Sequence, residues 1–192
     1  MATTTQTGTG TGTTNTFEST VAGVTVRGQA HSLSAWFVLA LRLMMGIAFA
    51  YSGVAKILAG FDATGYLANA TVANGSPAAG VFVAMAGNEA FMAFVNVAVP
   101  WGELAIGLAL IVGLLTRFAA FWGAVMMFMF YLGNWDVGHG LINGDFAYML
   151  VFLAVAAFGA GRILGLDAYV ERYEVDGQAL TEKYPVLDYV LG

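Results

Sequence analysis

The stretch VPWGELAIGLALIVGLLTR, residues 99–117, decides how this chain folds. Between Glu103 near its start and Arg117 at its end, the run has no charged residue. Its length is close to the roughly 20 apolar residues that a helix needs to cross a bilayer. A carboxylate in hydrocarbon is costly unless it is paired, so the same stretch predicts both a membrane span and a partner for Glu103.

The composition of the whole chain also indicates a membrane protein. Its 192 residues are 59% hydrophobic and 10% charged, whereas a soluble domain has about 25% charged residues. The length is typical of one domain. The net charge is −5, and much of the acid lies near the C-terminus, which argues against a nucleic-acid partner.

The chain has no cysteine. This excludes disulfides, thiol redox chemistry, iron–sulfur clusters and covalent haem attachment. The histidines, His31 and His139, fall on opposite sides of the membrane in the predicted topology, so they cannot both ligate one haem. We therefore expect no haem, iron–sulfur cluster, dinucleotide or metal site.

Hydropathy predicts an all-α fold, an integral membrane four-helix bundle over residues 34–166. The predicted spans are residues 35–58, 99–116, 118–135 and 146–164. Each is near the length that a bilayer core requires. Pro100 fits the first turn of the second helix, where its missing N–H costs nothing. Asp145 fits the N-cap of the fourth helix.

A long segment, residues 59–98, separates the first two spans. It contains AAGVFVAMA and AFMAFVNVAV, two apolar pieces separated by Gly87, Asn88 and Glu89. Each piece is too short to span a bilayer, so we predict short extracytoplasmic helices that lie on the surface or re-enter the bundle. The alternative joins them into a fifth span, at the cost of burying the Glu89 carboxylate.

The two ends of the chain are predicted to be tails on the cytoplasmic side. Residues 1–33 are rich in Thr and Gly, a composition typical of disorder, and residues 167–192 are polar. With both termini inside, residues 59–98 and 136–145 lie outside and hold no Lys or Arg, as the positive-inside rule requires. We expect a multi-pass plasma-membrane protein with cytoplasmic N- and C-termini.

One stripe of the first helix carries a cation near each end. It consists of Arg42, Gly46, Phe49, Gly53 and Lys56, spaced by 4, 3, 4 and 3 residues. That spacing puts them on one helical face, and small residues let a second helix approach closely. Lys56 and Arg42 lie about 21 Å apart along the axis. Glu103 starts the antiparallel second helix at the depth of Lys56, so we predict a Lys56–Glu103 ion pair.

More polar residues converge at that depth in the stretch YLGNWDVGHGLINGD, residues 131–145. We predict an outer pocket with Lys56 and Glu103 at its floor and His139 above them, these three being the catalytic candidates. The substrate-binding candidates are Arg42, Asn134, Asp136, Asp145 and Tyr51. The alternatives are a purely structural Lys–Glu pair, an ordinary loop histidine, and aromatic residues that anchor the helix ends at the interface.

At the inner end, Arg42 also requires an acid or a phosphate. Asp167 follows the fourth helix in GAGRILGLDAY and is its predicted partner. Arg162 is predicted to contact lipid headgroups.

These residues form an ordered set of motifs. They are Arg42…Gly46…Gly53-x-x-Lys56, then Gly102-Glu103-x-x-x-Gly107 with Gly113-Leu-Leu-Thr-Arg117, then Gly159-Ala-Gly161-Arg162 ending in Leu166-Asp167. On this set, residues 36–168 resemble the DoxX family of membrane proteins. The insertion 59–98 before VPWGE resembles the DoxD-like branch. Gly165 departs from the pattern, since many relatives carry Ser there.

The resemblance implies a four-helix membrane bundle. It also implies a link to thiosulfate:quinone oxidoreductase, in which DoxD is a membrane subunit beside a second subunit. The functional positions carried over are Arg42, Lys56, Glu103, Arg117 and Asp167. Arg117, Arg162 and Asp167 are assigned to the structural motif.

Two classes of function follow. The first is a quinone-interacting subunit of a membrane oxidoreductase. Its electrons require a partner subunit or a further cofactor, because the chain has no thiol and no dinucleotide fingerprint. The second is a non-enzymatic membrane module: a small transporter, an assembly partner or a structural envelope component. The expected partners are the lipid bilayer, a redox or assembly subunit, and a second copy packed through glycine-rich faces.

Overall fold

The computed structural model describes residues 15–21, 23–31, 33–138, 140–175 and 177–192. Within them the α-helices are α1 (Ser34–Ala59), α2 (Thr71–Ala73), α3 (Ala79–Ala86), α4 (Glu89–Val112), α5 (Thr116–Gly133), α6 (Gly144–Ala157), α7 (Asp167–Arg172) and α8 (Leu180–Lys183). A π-helical turn covers Tyr66–Ala70, and 3₁₀ turns cover Ala160–Arg162 and Pro185–Tyr189. The strands are β1 (Asn15–Val21), β2 (Val24–Ala30), β3 (Glu174–Val175) and β4 (Gln178–Ala179).

The long helices confirm the predicted helical membrane fold. α1, α4 and α5 are each long and apolar enough to cross a membrane. α6 is apolar but has 14 residues, so it is shorter than the predicted span 146–164. Gly159 adopts the left-handed conformation, with φ 60°, which ends helices readily because glycine has no Cβ.

The second long helix starts earlier than predicted. α4 begins at Glu89 and takes in the second apolar piece, so Pro100 lies inside it and not in its first turn. The side chain of Asn88 caps α4 by accepting a hydrogen bond from the Phe91 N–H at 3.0 Å. This cap separates α4 from α3, so a fifth span over both pieces is wrong. The first piece alone forms a short helix, as predicted.

Two described stretches of the N-terminal segment form strands, which corrects the expectation of disorder for residues 15–21 and 24–30. β1 and β2 pair as an antiparallel hairpin, with Val21 opposite Val24. Gly23 lies in the turn with φ 81°, a conformation that glycine adopts without a steric penalty. The remainder of the predicted tail, residues 1–14, lies outside the described residues.

The C-terminal segment, predicted to be a polar tail, is partly folded against the bundle. β3 and β4 form a short hairpin, and the chain then returns to the bundle. Val190 accepts a hydrogen bond from the Phe118 N–H at 3.3 Å, and Leu191 is 1% exposed. Burial of a leucine side chain stabilises this return.

Glycines bring α1 and α4 into backbone contact. A Cβ on Gly53 would lie 2.6 Å from the Leu104 nitrogen, and one on Gly107 would lie 2.3 Å from the Ala50 nitrogen. A larger residue at either position would therefore push the helices apart. This confirms the close approach that the small residues of α1 predict.

The bundle core lies between these helices and the α5–α6 pair. The rings of Phe49 and Phe152 meet edge to face, with centroids 4.7 Å apart. Gly123 makes room for that contact, because its Cβ would lie 2.4 Å from the Phe152 ring. The rest of the buried cluster is aliphatic, sulfur-containing or alanine, for example Met45, Leu110 and Val155.

Candidate functional site

The predicted ion pair between Lys56 and Glu103 is present. The Lys56 Nζ lies 2.6 Å from both carboxylate oxygens of Glu103. Lys56 stands in the last turn of α1, and Glu103 stands one turn after Pro100 in α4. The Glu103 side chain is 2% exposed and the Lys56 side chain 26%. The carboxylate is thus buried and paired, as an intramembrane charge requires.

Three more side chains complete the surroundings of the ammonium. Ser52, one turn earlier in α1, accepts a hydrogen bond from Lys56 Nζ at 2.8 Å. The Phe61 and Phe130 ring centroids lie 5.8 Å and 5.7 Å from Nζ, within cation–π range. Sequence reasoning missed both rings, because Phe61 lies in a loop and Phe130 lies in the apolar run of α5.

Both of these rings also line a cavity. Its volume is about 220 Å³, and Phe61 and Phe130 form part of its wall. Phe82 of α3 and Val99 of α4 also line it, and the remaining lining is apolar apart from Tyr66. We call this cavity the outer chamber. A molecule inside it would lie next to the two rings that flank the Lys56 ammonium.

Asn96 stabilises the loop that carries Phe61 through two hydrogen bonds. Sequence reasoning missed this role. The Asn96 Oδ1 accepts a hydrogen bond from the Ala63 N–H at 2.9 Å, and its Nδ2 donates to Asp62 Oδ1 at 3.1 Å. The Thr64 hydroxyl and N–H also donate to Asp62, and with Asn96 they lower the pKa of its carboxyl. The available signal was a lone amide within an otherwise apolar stretch.

Two predicted binding residues meet in a polar cluster at the ends of α5 and α6. The Tyr66 hydroxyl donates to Asn134 Oδ1 at 2.7 Å, and Asn134 Nδ2 donates to Asp145 Oδ2 at 2.8 Å. Asn143 Nδ2 donates to the Asn134 carbonyl at 3.2 Å. Burial, with the nearby Asp145 charge, raises the pKa of Tyr66 to about 12. Tyr66 belongs to this cluster and also lines the outer chamber, so the two are adjacent.

The remaining outer candidates lie elsewhere. Tyr51 is 77% exposed on α1, so it is not part of the chamber. Asp136 lies in the loop between α5 and α6, and His139 falls outside the described residues.

The N-cap of α6 is Asn143, which accepts a hydrogen bond from the Phe146 N–H at 3.0 Å. The prediction of Asp145 as the cap is therefore wrong, and Asp145 lies in the first turn of the helix.

Arg42 occupies a second buried site at the opposite end of α1. It is 1% exposed, and its guanidinium donates to the main-chain carbonyl oxygens of Ala160, Ile163 and Leu164. These carbonyls lie in the turn that follows α6. Arg42 is therefore not part of the outer pocket for which it was a binding candidate.

Asp167 attracts Arg42 electrostatically, but the hydrogen bonds of its carboxylate go to main-chain groups. The Asp167 carboxylate accepts hydrogen bonds from the N–H groups of Leu115 at 2.7 Å, Thr116 at 3.0 Å and Gly192 at 3.1 Å. It thus caps the N-terminus of α5, where a negative charge is favourable. A Cβ on Gly161 would lie 2.1 Å from this carboxylate, which explains the glycine in that motif.

The other two motif arginines hold the C-terminal segment. Arg117 donates to the main-chain carbonyls of Ala156 and Asp188. Arg162 Nε lies 2.8 Å from Glu171 Oε2, and this bond raises the pKa of Arg162. Arg162 thus pairs with Glu171, and its contact with lipid headgroups stays a prediction.

Comparison with known proteins supports the family assignment. No curated protein and no solved structure is detectably similar to the chain. The family model described as DoxX matches residues 37–135. This range covers most of α1, all of α4 and α5, and both members of the Lys56–Glu103 pair. Because the match spans more than half of the chain, this membrane protein belongs to the DoxX family.

Proposed function

We propose that this DoxX-family protein is the quinone-binding membrane subunit of an oxidoreductase, with the quinone head in the outer chamber. The observation that carries the proposal is that Phe61 and Phe130 contact the Lys56 ammonium and also line the chamber. Small-molecule sites combine apolar walls with a few polar groups that fix orientation. The resemblance to the thiosulfate:quinone oxidoreductase subunit adds the substrate class.

The pair supplies the polar chemistry that a quinone head requires. Reduction to the quinol adds two electrons, which a second redox subunit supplies, and two protons, which are taken up from water. Lys56 does not line the chamber, so it donates a hydrogen bond to a quinone carbonyl oxygen only by releasing Ser52, its neutral acceptor, and moving toward the chamber. Glu103 holds the ammonium in place through both of its carboxylate oxygens. His139 and the Tyr66–Asn134–Asp145 cluster remain candidates for the outer side of the site.

A second candidate is a non-enzymatic membrane module. The observation that favours it is that Ser52 and the two Glu103 oxygens already provide three acceptors for the three N–H donors of Lys56. A pair that is complete without a ligand also serves to join α1 to α4. On this reading the chain is an assembly partner, a small transporter or a structural component of the envelope.

The quinone test uses protein extracted with its own lipids into nanodiscs. Mass spectrometry then looks for bound quinone and for a co-purifying redox subunit. We expect stoichiometric quinone in the wild type, and its loss in Glu103→Gln while the far-ultraviolet circular dichroism stays unchanged. Glu89→Gln is the matched control, because Glu89 is an exposed carboxylate in the first turn of the same helix.

The outcomes separate the two candidates. Quinone bound equally by wild type and Glu103→Gln contradicts the proposed site. A folded wild type that carries neither quinone nor a redox subunit, and that binds no added quinone, favours the non-enzymatic module.

We also propose a plasma-membrane location with both termini in the cytoplasm, from the distribution of basic residues. The cysteine-free chain suits labelling with a membrane-impermeant maleimide. In intact cells we expect Val72→Cys to react and Tyr184→Cys to stay unlabelled until the membrane is opened. Both side chains are exposed. The reverse pattern contradicts the orientation.

A further inference from the structure

A long groove runs between α4 and α5. Its volume is about 560 Å³, within the range of roughly 300–1,000 Å³ that ligand sites occupy. Along α4 it extends from Phe94 to Ala109, about 22 Å at 1.5 Å per residue. Its wall on α5 runs from Phe118 to Met126. The groove is therefore long and narrow, a shape that suits an extended chain.

Residue size explains why a groove exists here. Four small residues on one face of α4 line it, spaced by 4, 3 and 4 residues: Ala98, Gly102, Ala105 and Ala109. Aromatic side chains stand beside them, with Phe94 66% exposed and Trp122 46% exposed. Every lining residue is apolar. The groove therefore opens on the bundle surface and offers contacts to hydrocarbon alone.

Val99 lines both the groove and the outer chamber, so the two cavities are neighbours along α4. A chain that extends from the chamber toward the groove would pass this side chain. The chamber is covered by apolar residues of α3, including Phe82 and Met85. Such a cover is unfavourable for the charged headgroup of a phospholipid but compatible with an uncharged ring. The shared Val99 and the apolar cover together favour an occupant that has an uncharged ring and a long apolar chain.

We propose that the α4–α5 groove binds the isoprenoid chain of a quinone whose head lies in the outer chamber. This inference rests on the proposed function and adds a tail site to it. It also assigns the route by which the ligand leaves the bilayer: laterally between α4 and α5, past Val99.

The test uses a benzoquinone that carries a decyl chain with a diazirine at its end, added to the protein in nanodiscs. After illumination, peptide mapping locates the crosslinks. We expect them on groove residues of α4 and α5, and we expect an excess of the same ring without a chain to suppress them. Ala105→Trp should lower them about tenfold, because the indole fills the groove and overlaps the chain.

Two further variants guard against a folding effect. Leu108→Trp adds the same indole to an exposed position of α4 that does not line the groove, and we expect it to leave the crosslinks unchanged. Ala105→Leu fills the groove with a smaller side chain that suits a lipid-exposed helix, and we expect an intermediate decrease.

Each result has a distinct meaning. Binding of the ring without a chain, with crosslinks outside the groove and no effect of Ala105→Trp, overturns the tail site and leaves the proposed function standing. If the probe binds nowhere in a way that the ring without a chain suppresses, the result contradicts the proposed function itself. Two other outcomes also overturn the inference. In the first, a photoreactive phospholipid labels the groove equally well and quinone does not displace it. In the second, the groove crosslinks to a second copy of the chain.

Discussion

Asp167 caps α5 from a distance of 51 positions in the sequence, through a 3.0 Å hydrogen bond from the Thr116 N–H to its Oδ2. The residue before α5, Leu115, has φ 52° and supplies no side-chain cap. The cap therefore comes from another part of the chain. It ties the start of α5 to the segment that follows α6.

Loss of this carboxylate should weaken the inner end of the bundle. We expect Asp167→Asn to lower the free energy of unfolding by about 2 kcal/mol, because charge-assisted hydrogen bonds to a helix N-terminus are among the strong ones. Denaturation in detergent micelles, followed by circular dichroism, measures the change. Asp188→Asn removes an exposed carboxylate and serves as the control. Equal stability of the two variants would contradict the cap.

Two glycine-to-alanine substitutions should change the free energy of unfolding in opposite directions. Gly107→Ala places a methyl group against the backbone of Ala50, and we expect a loss of about 3 kcal/mol from overpacking. Gly80→Ala in α3 meets no atom within 4 Å, and we expect a gain of about 0.5 kcal/mol from helix propensity. Thermal unfolding in micelles compares them. A Gly107→Ala protein as stable as the wild type would refute the close α1–α4 contact.

A double-mutant cycle measures how strongly Lys56 and Glu103 depend on each other. We expect Lys56→Met and Glu103→Gln each to lower the free energy of unfolding by about 1–3 kcal/mol, since each leaves a charge unpaired. The double variant should lose less than the sum. The partly exposed pair Arg162–Glu171 is the control cycle, with a coupling of about 0.2–1 kcal/mol.

The cycle also bears on function. A double variant as stable as the wild type indicates that the pair is structural and favours the non-enzymatic module. Additive losses would contradict the interaction itself.

The Tyr66 hydroxyl should lose its proton at a higher pH than an ordinary tyrosine. Its folded-state pKa of about 12 lies above the ordinary value of 10.0, so the neutral form is favoured in the folded protein. The resulting stability is fully present below pH 10 and is lost as the pH rises through about 12. A spectrophotometric titration should show one tyrosinate component near pH 12 that disappears in Tyr66→Phe and persists in Tyr189→Phe. Its persistence in Tyr66→Phe would contradict the assignment.

The sequence predicts the outer pair because both of its members obey a local rule. Lys56 follows from helical spacing within α1, and a buried carboxylate demands a cation at the same depth. The same reasoning misplaced the start of α4, because Pro100 marks a helix start in soluble proteins but is tolerated inside membrane helices. It also paired Arg42 with Asp167, since charge alone does not reveal the main-chain groups that satisfy each of them.

By itself, the sequence determined the membrane class, the apolar helices, the glycine contacts and the Lys56–Glu103 partnership. These depend on hydrophobicity, helical period and the cost of an unpaired charge, all of which are local or one-dimensional properties. Only the tertiary structure decided the chamber beside Phe61 and Phe130, the groove that meets it at Val99, and the cap that Asp167 provides. Cavities and distant caps arise from the packing of several segments at once, and no short stretch of sequence encodes their geometry.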